Sequence, residues 1–167
     1  PQPEGIWEHA YLGNLWKEST GEDRYRRAIY TYLKRTSPYP SLMSFDAGSR
    51  EVCLVRRSPS NTPLQALVTL NDPVFLEAAL SLASLTVEEP VETAIKKMYR
   101  KAVYDEIDET VLELLKTLYT DAFQDFDQAP EKLHNFFNQE TAVDMKLAAL
   151  AVVANAIMNL DEFLTHG

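Results

Sequence analysis

Apolar residues recur at helical spacing over most of this chain. Across residues 23–35, Tyr25, Ala28, Ile29, Tyr32 and Leu33 fall at i, i+3, i+4, i+7 and i+8, which is one face of an α-helix. Thr20 with Asp23 resembles a capping box, Glu22 and Asp23 suit the positive helix start, and Lys34 and Arg35 suit the other end. Pro38 and Pro40 then stop the pattern, since neither can continue the hydrogen-bond ladder. Residues 41–60 show no helical period. Within them EVCLV suits either a short strand or a buried extended segment.

NTPLQALVTLNDPVF, from Asn61 to Phe75, carries two Xaa-Pro pairs ten residues apart. Thr62 is a good N-cap, Pro63 fits the first helical position, and Gln65 completes the S/T-x-x-E/Q box. Leu64, Leu67 and Val68 share a face, expected to be buried. Asp72 and Pro73 repeat the start signal, and Phe75, Ala78, Ala79, Leu82 and Leu85 follow as a stripe. Two short helices therefore meet at a bend around Asn71. Pro90 opens a further helix with Val91, Ala94, Ile95, Met98 and Ala102 inward. Asp108 caps another, carrying Val111, Leu114, Leu115, Leu118, Ala122 and Phe123, and Pro130 begins a shorter one with Leu133, Phe136 and Phe137. Residues 143–164 are apolar nearly all round, with small Ala148, Ala149, Ala151, Ala154 and Ala156. Such a helix belongs in the middle of a bundle. The expected fold is all-α: an irregular bundle of about six to seven helices, one domain over residues 1–167, with residues 41–60 as an ordered non-helical segment.

Composition supports a packed core. The chain has 167 residues, 46% of them hydrophobic, and only 5 glycines. The longest apolar run, 147–154, falls far short of the ~20 residues of a membrane helix. The opening PQPEGIW lacks the basic leader and apolar core of a signal peptide, so a soluble chain is expected. The formal net charge of −9 disfavours nucleic acid as a partner. Its distribution is uneven, net +2 up to Arg57 and net −11 beyond.

Few residues advertise chemistry. His9, His134 and His166 lie far apart with no zinc-type spacing, and Cys53 is alone, which excludes a C-x-x-C-H haem attachment and an internal disulfide. No cofactor or metal is expected. The acids Asp105, Glu106, Asp108 and Glu109 cluster where a helix start favours them. Asn155 and Asn159, four apart on the apolar last helix, need partners and fit either a ligand or a neighbouring helix end. A polar cluster, Asp46, Arg50, Glu51, Arg56, Arg57 and Asn61, surrounds the EVCLV segment. The N-terminal part is rich in rings and arginines. Trp7, Trp16, Arg24 and Arg27 are its candidate surface residues, either holding a sugar or anionic group or serving the packing of the bundle and pairing with its acidic half.

Three stretches, GEDRYRRAIYTYLKRTSPYPSLMSFDAGSREVCLVRR, NTPLQALVTLNDPVF and NLDEFLTHG, carry a family resemblance. The chain resembles the C-terminal domain of unknown function of large planctomycete-type proteins that also contain a cytochrome c domain. Tyr32-Leu33 stands where a Phe-Trp pair is common, and Ala47-Gly48 where Pro-Asp is common. The resemblance implies a secreted or envelope parent linked to polysaccharide use, with c-type haem in another domain. It implies the parent's upstream domains as partners, with carbohydrate as a further one, and carries no catalytic residues.

Overall fold

The computed structural model describes residues 19–32, 38–48, 60–133 and 144–165. Among them every regular element is helical and no strand occurs. The all-α expectation therefore holds. The chain forms two compact units, Pro1–Val68 and Thr69–Gly167.

In the first unit the helix expected over residues 23–35 is absent from the described part. Two short 3₁₀ turns, Gly21–Tyr25 and Ala28–Tyr30, stand in its place. Arg26 (φ −68°, ψ 144°) and Arg27 (φ −57°, ψ 148°) are extended and cut the ladder between them. Thr20 makes no side-chain cap. A short helix draws its stability mainly from burying its apolar stripe, and here Tyr25, Ile29 and Tyr32 are 68%, 74% and 56% exposed. Periodicity without cover does not hold a helix.

Residues 41–60 differ from expectation at their start. Helix α1 (Pro40–Ser44) is a single turn with Pro40 at its first position, so the proline that closes one pattern opens the next. Its end is sealed by Asp46 at φ 55°, after which the Ala47 amide reaches back to the Leu42 carbonyl at 2.9 Å. The EVCLV segment lies outside the described residues.

Helix α2 (Pro63–Asn71) starts and stops as expected, but its orientation is reversed. Leu64 and Leu67 are exposed, while Gln65 and Thr69 are buried. The buried side is chosen by polar groups with partners to reach, not by the leucines.

The second unit is built around α6 (Met145–Ile157), packed by α3 (Pro73–Ser84), α4 (Val91–Val103) and α5 (Glu109–Gln128). Eight of the thirteen α6 residues are buried, including Ala148, Ala149, Ala151 and Ala154. Small side chains let three neighbours approach one axis, as expected for the apolar last helix. That helix ends earlier than expected, however. Leu160 is extended (φ −71°, ψ 150°), and a last turn, α7 (Asp161–Leu164), follows.

Asp108 caps α5, accepting the Thr110 amide at 2.8 Å. The buried stripe of α5 is Leu112, Leu115 and Phe126, with Val111, Leu118, Tyr119 and Ala122 packed beside it, and Leu114 faces solvent. Helix α4 buries Ala94, Ile95 and Met98 as expected, and Tyr99 and Val103 extend the same face. Residues 131–133 are helical, while Phe136 and Phe137 lie outside the described residues. No single helix among the described residues is long and apolar enough to cross a membrane.

The break between α2 and α3 orphans a carbonyl. The Thr69 oxygen would bond the amide of residue 73, but Pro73 has none. The Asn155 amide on α6 supplies the missing donor at 2.9 Å, and the Thr69 hydroxyl donates to the Asn159 side-chain oxygen at 2.9 Å. The two asparagines therefore serve a helix end.

Two substitutions separate core from surface. Ile157→Ala should cost about 2–5 kcal/mol, as full burial dictates. Leu67→Ala should stay within about 0.5 kcal/mol, because Leu67 is 59% exposed. Asn155→Ala should cost about 1–3 kcal/mol by removing its bond to the carbonyl of buried Thr69. Chemical denaturation midpoints check all three.

Candidate functional site

The polar residues nearest the candidate cluster meet where α2 begins. Thr62 and Gln65 form the reciprocal capping box read from their spacing. The Thr62 amide donates to Gln65 Oε1 at 2.8 Å, and the Gln65 amide donates to Thr62 Oγ1 at 3.3 Å. This satisfies two orphan donors at the helix start and fixes the Gln65 side chain. Its other end, Nε2, donates to Asp46 Oδ2 and to Ser60 Oγ, both at 3.3 Å.

Asp46 is the acceptor shared by Ser60 and Gln65. Its Oδ2 also receives the Ser60 amide at 2.9 Å and the Ser60 hydroxyl at 2.6 Å. The Ser60 hydroxyl, then the Ser60 amide, hold the Asp46 carboxyl below its ordinary value, and the Gln65 amide adds to them. The left-handed Asp46 backbone turns the chain out of α1, while its carboxylate ties that turn to the residue two before the α2 cap. A side chain and its own backbone thus close one loop between α1 and α2.

Chemically, this arrangement holds structure. A carboxylate whose proton affinity is lowered is a poor general base near neutrality. The Ser60 hydroxyl donates to that carboxylate, with no imidazole among the atoms bonded to it. Among the described residues no three His, Cys, Asp or Glu side chains gather as metal ligands would.

Of the sequence candidates, Asp46 sits in this group and Asn61 is exposed beside it. Arg50, Glu51, Arg56 and Arg57 lie outside the described residues, as do Cys53, Trp7 and Trp16. Arg24 and Arg27 are exposed in the segment of 3₁₀ turns, where Arg26 pairs with Asp23 at 2.9 Å. Ser60 was not singled out by sequence reasoning. A bond spanning fourteen residues leaves no local signature. The acids at the α4–α5 turn show the expected structural use at Asp108, whose carboxyl is held low by the Thr110 bonds that cap α5.

Residues 2–119 match the family model described as PSD1, protein of unknown function (DUF1553). The chain belongs to this family. The matched span takes in the capping box, the Asp46–Ser60–Gln65 group and the first half of α5. No curated protein and no solved structure matches the chain.

Removing the Thr62 hydroxyl should cost about 1 kcal/mol in Thr62→Ala. For Asp46 the sign follows from its lowered folded value. Its stabilisation is present above the ordinary carboxylate value of 3.8 and is lost as pH falls through the folded value. The stability gap between the natural protein and Asp46→Asn should therefore be widest at neutral pH and close on acidification. Midpoints measured across an acid pH series check it.

Proposed function

We propose that this chain is a non-catalytic packing and interaction module of a larger protein. The observation that carries this reading is the segment of residues 19–30, every one of which is exposed, large apolar and aromatic side chains included. The Asp46 group supports it from the other side, since its hydrogen-bonding atoms serve one another and the start of α2. The motifs that carry the family resemblance support the wider setting. In it the module packs against upstream domains of a secreted or envelope protein linked to polysaccharide use, with haem held in another domain. The module itself takes no haem and no structural metal.

The deciding experiment uses the full-length parent on a panel of polysaccharides, comparing the natural protein with Arg56→Ala/Arg57→Ala. Any turnover should be unchanged, and metal analysis of the purified module should find no stoichiometric iron or zinc. Lost turnover in a variant that still folds and still associates with its neighbouring domains would overturn the proposal. Asp46, Asn61, Arg56 and Arg57 would then belong to an active site completed by another domain.

A further inference from the structure

Five of the chain's 16 lysines and arginines fall in one short stretch. Residues 24–45 hold Arg24, Arg26, Arg27, Lys34 and Arg35 with no aspartate or glutamate, in a chain of net charge −9. Of this run the structure describes residues 24–32, and residues 24–30 are all exposed. The Arg26–Asp23 pair lies in water, with both side chains more than 60% exposed. Such a pair is held weakly and is readily exchanged for a better partner.

Among these cations stand side chains that gain nothing from water. Ile29 is 74% exposed and Tyr30 71%. A lone exposed aliphatic residue is ordinary. Here Ile29 and Tyr30 are set beside Arg24, Arg26 and Arg27, and arginine and aromatic side chains are the residues enriched at the centres of protein interfaces.

We propose that residues 24–32 are a docking strip for an acidic protein surface with an apolar centre. Arg27 reaches a carboxylate at the rim, and Ile29 and Tyr30 cover the centre. This deepens the interaction-module reading and rests on it. The sign of the partner follows from the cations, because charge complementarity sets encounter and register. Its class follows from Ile29. A glycan offers hydroxyl groups but no apolar pocket for an aliphatic side chain, and a phosphate backbone offers none either.

The test is binding of the intact chain to a labelled synthetic amphipathic peptide of glutamate and leucine, read by fluorescence anisotropy. A lysine-and-leucine peptide, polygalacturonate and oligothymidylate serve as the other probes. The glutamate peptide should bind saturably and more weakly at high salt. Arg27→Glu and Ile29→Ser should each weaken it roughly tenfold or more, with unchanged circular dichroism. Absence of binding, equal binding of the lysine peptide, or indifference to either variant overturns the proposal. So does tighter binding of polygalacturonate or oligothymidylate than of the glutamate peptide. If the peptide fails while Arg56→Ala/Arg57→Ala leaves turnover intact, the strip is wrong and the module reading stands. Lost turnover in that double variant removes the module reading whatever the peptide does.

Discussion

A proline without an amide proton sets the central constraint of the second unit. Pro73 starts α3 well, because its fixed backbone angle suits a first helical turn, but it leaves the Thr69 carbonyl without its helical donor. Buried Thr69 cannot turn to water for replacement. Asn155 completes the bond from α6, and Asn159, one turn further on, accepts from the Thr69 hydroxyl. The two amides on the helix at the centre of the packing therefore register it against the α2–α3 break. Around that fixed point α3, α4 and α5 bury their apolar faces on the alanines of α6.

Sequence pattern carries some features of this fold and not others. Three of the expected caps were legible because they are local, while Thr20 makes none. Asp72, Asp108 and the Thr62–Gln65 box act within two or three residues of themselves, and each bonds as its spacing implies. The central helix was legible because its apolar residues face every direction. Helix faces were less so. Leu64 and Leu67 are the more apolar side chains, yet Gln65 and Thr69 turn inward because their partners lie there. Leu114 shares a period with Leu115 and Leu118, but the buried line runs through Leu112 instead. Hydropathy says how much can be buried, not which of two adjacent lines meets a neighbour.

The candidate site was half legible for a related reason. Asp46 stood out among charges around a small apolar centre. Its partner Ser60 did not, since one hydroxyl among several serines has no distinguishing context until the fold brings it to a carboxylate 2.6 Å away. The bonds then argue for architecture. The bonds joining Asp46, Ser60, Thr62 and Gln65 shape a turn or cap a helix, and membership of a family of unknown function adds no chemistry to them.

The place of α6 in the chain has a consequence for synthesis. The helix on which α3, α4 and α5 all pack leaves the ribosome after all three of them. Until it emerges, the inward faces of three finished helices have no central partner, and their side chains must wait in water or against one another. A nascent chain of this kind gathers its second unit late and nearly all at once. In that interval it is most open to chaperones and to self-association.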